Sequence, residues 1–187
     1  MLDKTKIQKV FDKVATHLLT QKLSAQEYGG GNCYYRYHGL KCAIGALIPD
    51  EVYDSKIEGG SVAQQKVYEL IPEELRPVPG DGGDMRCYSA LQRIHDRMKV
   101  GSWPRWLYAY ASAFELTIPD ILDEALGTTK VTHGQISTML WDLGLVAEEK
   151  AYQDKYRSEI SNEQYPWGPL DIVTDLQLPH RPAAPVV

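Results

Sequence analysis

Long apolar runs, cysteines and phenylalanines are all scarce in this sequence. No stretch approaches the roughly 18 consecutive apolar residues of a membrane-spanning helix, and the opening MLDKTKIQKVFDK lacks the apolar centre of an export signal. The cysteines, Cys33, Cys42 and Cys87, are odd in number and lack the density of a disulfide scaffold. We therefore expect reduced thiols, no membrane span and a cytoplasmic location.

Basic residues are too few for a typical nucleic-acid-binding chain. The sequence has 20 Lys and Arg against 25 Asp and Glu, a formal net charge of −5. The imbalance is concentrated in residues 118–187, which carry five basic and eleven acidic side chains. Phosphate contacts by Lys and Arg supply most of the non-specific affinity for DNA and RNA, so a nucleic-acid partner is not expected.

The sequence does contain strong helical periodicity. Apolar residues recur at three- and four-residue steps within residues 7–19, 87–98 and 103–114, and each segment predicts an amphipathic helix. A Ser or Thr three residues before a Gln predicts two further helix starts, at Ser61 and Thr132. The predicted fold class is mainly α, or α+β if one short β-hairpin forms.

That hairpin is predicted by CYYRYHGLKC at residues 33–42, which reads as an aromatic strand, a turn at the HG pair and a return strand. Because side chains alternate along a strand, Tyr34 is expected on one face and Tyr35 and Tyr37 on the other. The three tyrosines therefore cannot all lie in the core, and this favours a binding surface.

The apolar block AIGALI, residues 43–48, follows the hairpin directly. It predicts a short buried helix that ends at Pro49, because proline interrupts a helix. Gly45 within the block predicts close packing against a neighbouring segment.

Prolines and glycines divide the chain into three predicted parts. Residues 1–117, with the hairpin at 33–42, are predicted to form a compact helical domain. Residues 118–157 are predicted to add a C-terminal helical hairpin packed on that domain. Residues 158–187 are punctuated by prolines and are predicted to dock in an extended form, on the same domain or on a neighbouring subunit, which makes this part of the chain a candidate for homo-oligomerisation.

Three blocks of sequence resemble a known group of proteins. They are CYYR followed by GLKCAIGALI, DEVY followed by EG at residues 50–59, and LQRIHD at residues 91–96. Through these blocks, residues 5–117 resemble a family of small uncharacterised proteins common in bacteriophages, prophages and bacteria. The resemblance implies a shared fold and a phage or mobile-element origin, and hence the host cytoplasm as location. It implies no activity, because none is known for the family.

Polar residues in these blocks form the candidate binding site. A partly buried Arg36 would need a carboxylate partner, and Asp50, Glu58 and Asp96 are the candidates. A structural polar network is the preferred interpretation, and a binding pocket is an alternative. The candidate binding residues are Tyr35, Arg36, Lys41, Asp50, Tyr53, Glu58, His95 and Asp96.

An enzymatic alternative uses some of the same residues. Cys33 or Cys42 would be the nucleophile and His95 the base, with Asp96 or Asp50 orienting the imidazole. Adjacent helical residues point about 100° apart, so Asp96 is not expected to orient its own neighbour. Neither cysteine lies at an evident helix N-terminus, and no catalytic residue is assigned.

A zinc site is a further alternative, because His38 lies between Cys33 and Cys42. Zinc ligands usually come in close pairs such as C-x2-C, whereas these cysteines are separated by eight residues across a tight turn. Cys87 falls on an apolar helical stripe and is a poor fourth ligand. Buried thiols are the preferred interpretation, and no metal or cofactor is predicted.

Residues 118–145 resemble a helix-turn-helix motif, which would indicate a DNA-binding regulator. The helix that would enter the major groove, residues 132–143, contains no Lys or Arg and includes Asp142. An ordinary helical pair is therefore preferred.

The function predicted is non-enzymatic: a phage or mobile-element protein that binds a host or phage protein, with inhibition of a host defence system as one candidate role. The first alternative is a small-molecule-binding protein or enzyme that uses the neighbourhood of Arg36, Asp50 and His95. The second is the DNA-binding regulator.

Overall fold

The structure, a computed structural model, describes residues 3–27, 32–78 and 82–162. The α-helices are α1 (Lys4–Gln21), α2 (Gln65–Tyr68), α3 (Gly82–Arg97), α4 (Trp103–Phe114), α5 (Asp120–Leu126), α6 (His133–Asp142), α7 (Val146–Lys155) and α8 (Arg157–Asn162). The strands are β1 (Arg36–Tyr37) and β2 (Leu40–Lys41), and 3₁₀ turns span Asp50–Val52, Ser55–Ile57, Glu73–Leu75 and Val100–Ser102. None of these helices is long and apolar enough to cross a membrane. The predicted fold class, mainly α with one short β-hairpin, is confirmed.

The first helix, α1, buries one face in the core. It begins after Asp3, whose Oδ1 accepts a hydrogen bond from the Lys6 N–H at 3.2 Å. It ends at Lys22, which has a left-handed φ of 53°. The predicted stripe is confirmed, since the buried residues recur at helical spacing: Ile7, Val10, Phe11, Val14, Ala15, Leu18 and Leu19.

The predicted hairpin forms, although each strand is only two residues long. β1 and β2 pair antiparallel, with Arg36 opposite Lys41. The turn residues His38 and Gly39 have φ values of 49° and 82°. A two-residue turn with positive φ at both positions matches the twist of an antiparallel pair, so the turn sets the register.

The helix predicted over residues 43–48 is wrong. The block is largely buried but forms consecutive turns, in which the Ala46 N–H donates to the Cys42 carbonyl at 2.9 Å. A Cβ built on Gly45 would lie only 2.0 Å from the carbonyl oxygen of Tyr35. A backbone pressed this closely against the hairpin leaves no room for the side-chain shell of a regular helix. The close packing predicted at Gly45 is confirmed.

The capping box predicted at Ser61 does not form. α2 begins only at Gln65, and Gln64 makes no side-chain cap hydrogen bond. The Ser61 hydroxyl instead accepts from the Ala63 N–H at 3.2 Å, a local turn that competes with helix formation. The helix predicted to run through Ile71 is therefore a single turn, although Ile71 is fully buried.

α4 lies at the centre of the fold. It packs against α1, α3, α5, α6 and α7. Pro104 occupies its first turn, where the missing N–H leaves no helical hydrogen bond unmade. Trp103, Leu107 and Tyr110 are buried and Phe114 is partly buried, so the predicted inward face is confirmed.

The predicted capping box at Thr132 forms and opens α6. The Gln135 N–H donates to Thr132 Oγ1 at 3.3 Å, and the Thr132 N–H donates to Gln135 Oε1 at 3.1 Å. α5 packs on α1 and α4, whereas α6 packs on α4 and α7. The closely packed helix pair in this part of the chain is therefore α6 with α7.

The hydrophobic core continues past residue 117. Leu122, Leu140 and Tyr152 belong to the same buried cluster as Phe11 of α1. The domain boundary at residue 117 therefore stays a prediction. Residues 158–162 belong to α8, and the rest of the predicted tail, residues 163–187, lies outside the described residues.

Candidate functional site

Glu58 holds the beginning of the hairpin in place. Its carboxylate accepts the backbone N–H of Tyr35 at 2.8 Å and that of Arg36 at 3.0 Å. The Tyr53 hydroxyl donates to the same carboxylate at 2.5 Å. Three donors on one carboxylate form charge-assisted hydrogen bonds, which are stronger than neutral ones. The hairpin is therefore fixed by a side chain that follows it in sequence by about 20 residues.

The carboxylate partner predicted for Arg36 is confirmed and is Asp50. The Arg36 guanidinium also donates to the Ile48 carbonyl at 2.8 Å and lies 4.5 Å from the centroid of the Tyr53 ring. Lys41 Nζ is 2.7 Å from the same Asp50 carboxylate. Hydrogen bonds lower the pKa of Asp50 to about 2, with the bond from Lys41 as the largest cause and the bond from Arg36 as the next. Because the Asp50 side chain is 69% exposed, this charged group lies at the surface.

We expect Glu58→Ala to lower the free energy of unfolding by about 2 kcal/mol or more, because two backbone N–H groups and a phenol lose a charged acceptor. Asp50→Ala is the matched control. It removes an ion pair whose acidic partner is mostly exposed, and should cost under about 1 kcal/mol. Urea titrations near neutral pH measure both. Equal losses in the two variants would contradict the anchoring role of Glu58.

His95 belongs to a second polar network, beneath the surface. Its side chain is buried, and its Nε2 accepts the Ala25 N–H at 2.9 Å. Its Nδ1 lies 2.8 Å from Asp96 Oδ1, and its ring stacks on Trp103 with centroids 5.6 Å apart. Because Nε2 is an acceptor, the ring proton is on Nδ1, which donates to Asp96. The expectation that Asp96 would not orient its neighbour is wrong. Adjacent helical residues point about 100° apart, yet the Asp96 carboxylate reaches the His95 ring within the last turn of α3.

The cysteines do not complete a catalytic arrangement with this histidine. A thiol nucleophile needs the free nitrogen of the imidazole, and His95 Nε2 is taken by a backbone N–H. Burial raises the pKa of Cys33 to about 11 and that of Cys42 to about 12, so neither thiol ionises near neutral pH. The Gln26 amide donates to Cys33 Sγ at 2.6 Å and to the Asp96 carbonyl at 2.8 Å. These contacts support the structural interpretation of the network.

The thiols also lie apart from any metal-binding arrangement that the structure describes. Cys42 is fully buried and its Sγ accepts the Gly45 N–H at 3.2 Å, whereas Cys33 is only half-buried. Within residues 3–27, 32–78 and 82–162, no group of three or more His, Cys, Asp or Glu side chains is placed to hold a metal ion.

Buried thiols make the stability of the fold sensitive to alkaline pH. Burial raises the pKa of Cys42 and of Cys87 from 9.0 to about 12. At pH values between 9 and about 12, these thiols lose their protons in the unfolded chain but keep them in the folded protein. The free energy of unfolding should therefore fall as the pH rises above 9. Urea titrations at a series of pH values between neutrality and about 10 measure this slope.

The control for this prediction is Cys87→Ala. The variant should be less stable near neutral pH, because it leaves a small cavity, but its stability should decline less steeply with alkaline pH. A slope equal to that of the parent protein would show that other groups cause the decline.

A cleft of about 320 Å³ lies between the hairpin and α3. Of the predicted site residues, Tyr35 and Asp96 line it. Sequence reasoning missed the other polar residues of the lining, of which Ser89, Gln92, Arg93 and Arg97 are on α3. Arg93 and Arg97 are four residues apart, a spacing that places both side chains on one face of a helix and was visible in the sequence. Within the protein, Gln92 Nε2 donates to Asp96 Oδ1 at 2.6 Å and Arg93 Nη1 donates to the Asp142 carbonyl at 3.1 Å.

The remaining aromatic residues of the hairpin form a partly exposed cluster. The rings of Tyr34 and Tyr37 stack with centroids 5.2 Å apart at 13°, and His38 packs edge-on against Tyr37 at 4.4 Å. The alternation predicted for the tyrosines is wrong, because Tyr34 shares its side with Tyr37 and Tyr35 is buried. The ladder begins only at Arg36, and a bend at Tyr35 interrupts the alternation before it.

The predicted site residues thus divide between two networks. Arg36, Lys41, Asp50, Tyr53 and Glu58 surround the hairpin. His95 and Asp96 join α3 to the segment that follows α1, while Tyr35 contributes its N–H to the first network and lines the cleft beside the second. In the described part of the chain, hydrogen bonds join Arg36 to Asp50 but join neither residue to His95.

One exposed aromatic was not singled out from the sequence. Trp141 on α6 is 61% exposed. It follows Leu140, a core residue, and adjacent helical positions point about 100° apart. Helical spacing alone therefore places Trp141 off the buried stripe, and this signal was available. The exposed side of α6 that carries it also includes Asp142, and no Lys or Arg occurs in this helix.

Comparisons of the chain with protein-family models, with curated proteins and with solved structures found no match. The resemblance of residues 5–117 to phage and prophage proteins therefore stays a prediction.

Proposed function

We propose that this protein is a non-enzymatic binding protein that recognises another protein through the aromatic cluster of its hairpin. The observation that carries the proposal is the stacked pair of Tyr34 and Tyr37, both only partly buried, with His38 exposed at the turn of an anchored hairpin. Tyrosines dominate the binding energy of many protein interfaces, because a large rigid ring loses little entropy on binding.

The anchoring of the hairpin supports this role. Glu58 fixes the backbone at Tyr35 and Arg36, and the approach of Gly45 to the Tyr35 carbonyl fixes it from the other side. A surface that is already ordered pays little to become ordered on binding, so more of the contact energy appears as affinity.

The hairpin also carries charged side chains, on the face opposite Tyr37, because adjacent strand residues point to opposite faces. Arg36, Lys41 and Asp50 together carry one net positive charge, and Asp50 is largely exposed. The proposed partner is a protein of the host cell or of the mobile element, with inhibition of a host defence system as the proposed role. This part rests on the resemblance of residues 5–117.

The test places a photoreactive amino acid at His38 in the full chain and identifies cross-linked proteins from host lysate by mass spectrometry. Binding of the identified partner is then measured for the parent protein, for Tyr34→Ala with Tyr37→Ala, and for Trp141→Ala as the matched control. We expect the double variant to bind at least about tenfold more weakly, since interface tyrosines contribute on the order of 1–2 kcal/mol each. The control should bind normally. Loss of binding in Trp141→Ala alone would place the interface on α6 and refute the hairpin proposal.

A second candidate function is small-molecule binding in the cleft between the hairpin and α3. The observation that favours it is the presence of Arg97 in the lining of a cleft of about 320 Å³, a volume suited to a small polar ligand. Native mass spectrometry of the purified full chain tests it. A bound mass that is lost in Arg97→Ala would favour this function over the first, and an unliganded mass would count against it.

A further inference from the structure

One wall of the cleft between the hairpin and α3 is a polar stripe on that helix. Ser89, Arg93 and Arg97 all line the cleft and recur at intervals of four residues. Residues four apart are neighbours on one face of a helix, with Cβ atoms about 5–6 Å apart. The stripe therefore places two guanidinium groups next to each other on a concave surface.

Neither of these two arginines is paired with a carboxylate of the described residues. Arg93 uses Nη1 to donate to the Asp142 carbonyl at 3.1 Å, and its guanidinium retains further N–H donors. In the described part of the chain, Arg97 is exposed, donates no hydrogen bond and forms no ion pair. Arg86, nearer the start of α3, differs because it pairs with Glu148 at 3.2 Å. Like charges four residues apart on a helix repel each other, so an anion between Arg93 and Arg97 would be stabilised by both.

The acidic side chain in the cleft does not cancel this charge. Of the described residues that line the cleft, only Asp96 carries a carboxylate, and its Oδ1 accepts from Gln92 Nε2 at 2.6 Å and lies 2.8 Å from His95 Nδ1. Two arginines and one aspartate give the lining a net charge of +1, in a chain whose formal net charge is −5. Positive charge on a concave surface concentrates anionic ligands there.

The rest of the lining adds hydroxyl and aromatic groups. Ser61 Oγ accepts the Ala63 N–H at 3.2 Å, so its O–H is left to donate to a ligand. Tyr34 of the hairpin, which is only partly buried, also lines the cleft and offers an aromatic surface. A ligand that joins an anionic group to a small ring would therefore meet a suitable group at each end.

We propose that this cleft binds a small phosphate monoester, with the phosphate group held between Arg93 and Arg97. Two guanidinium groups and the hydroxyls of Ser61 and Ser89 match the three oxygens and the roughly double charge of a phosphate monoester at neutral pH. A monocarboxylate, with two oxygens and a single charge, would use fewer of these donors. The proposal rests on the second candidate function, small-molecule binding in the cleft, and names the chemical class of the ligand.

The test titrates the ¹⁵N-labelled full chain with four probes: phenyl phosphate, inorganic phosphate, benzoate and the neutral benzyl alcohol. A pH of about 7.5 keeps the monoester largely dianionic, because its second pKa is about 6. We expect phenyl phosphate to shift the amide resonances of residues 59–62 and 89–97, and to bind with a Kd at least about fivefold lower than that of benzoate. Inorganic phosphate should shift the same amides, and benzyl alcohol should leave them unmoved.

Arg97→Gln removes the charge while keeping a polar side chain, and should weaken binding of phenyl phosphate at least about tenfold. The matched control is Arg105→Gln, which changes an exposed arginine of α4 that does not line the cleft. The control should bind phenyl phosphate like the parent protein. Both variants should keep the parent's urea midpoint, because the two arginines are exposed, so a loss of binding in Arg97→Gln would report on the site and not on folding.

Three results would overturn the proposal. Equal affinity of the parent protein and Arg97→Gln would show that the arginine does not hold the anion. Equal affinity for phenyl phosphate and benzoate would refute the assignment of a phosphate ligand. No response to any anionic probe, together with a neutral co-purifying mass in native mass spectrometry, would refute the anion site while small-molecule binding in the cleft stood. Cross-linking at His38 tests the hairpin proposal independently of all three.

Discussion

Gly45→Ala is expected to destabilise the protein by about 3 kcal/mol or more, or to prevent folding. A Cβ at this position would meet the Tyr35 carbonyl oxygen at 2.0 Å, a distance that real Cβ atoms do not show. The neighbour is backbone, so no side chain can rotate away. The same carbonyl accepts the Cys42 N–H at 3.1 Å, and moving it breaks that hydrogen bond as well.

The matched control is Gly101→Ala. A Cβ there meets nothing within 4 Å, and its backbone requires no positive φ, so the substitution should change stability by less than about 0.5 kcal/mol. Thermal and urea unfolding of both variants provide the measurement. If Gly45→Ala unfolds at the parent's urea midpoint, the hairpin and residues 43–48 are not packed as described. A surviving but loosened Gly45→Ala protein should also lose partner binding, because the hairpin would shift.

His95→Ala is expected to cost about 3 kcal/mol or more. The substitution removes the acceptor of the buried Ala25 N–H and leaves a cavity next to Trp103. Both effects act at a position where the side chain is almost fully buried. Free energies of unfolding from urea titrations measure the loss.

Asp96→Asn distinguishes a structural role of the His95–Asp96 hydrogen bond from a catalytic role or a role that depends on the charge of Asp96. The asparagine oxygen can still accept from His95 Nδ1, so the hydrogen bond survives while the charge is lost. We expect a loss of under about 1 kcal/mol for Asp96→Asn. A loss as large as that of His95→Ala would mean that the histidine is held as an ion pair, contrary to the tautomer assigned from its hydrogen bonds.

Features set by neighbouring residues could be predicted from the sequence. The stripe of α1 depends only on residues three and four positions apart, and the Thr132 capping box closes within four residues. The hairpin turn required only a His-Gly pair able to adopt positive φ. All three predictions were confirmed, whereas the capping box predicted at Ser61, which is also a local signal, did not form.

Features set by distant contacts could not be predicted. Residues 43–48 have the composition of a buried helix but form consecutive turns, with Gly45 pressed against the Tyr35 backbone. Likewise, the orientation of His95 depends on Ala25, which is 70 residues away along the chain. Glu58, whose carboxylate anchors the hairpin, could be named from the sequence only as a candidate partner of Arg36. The carboxylate in fact accepts from the backbone N–H groups of Tyr35 and Arg36, which no sequence pattern marks.

The central place of α4 has a consequence for how the protein opens. Because α4 packs against α1, α3, α5, α6 and α7, its amide protons can reach water only when several elements separate together. Hydrogen exchange along α4 should therefore report the free energy of global unfolding. α8 packs only at the edge, on α6 and α7, and should exchange through local fraying long before the rest of the molecule.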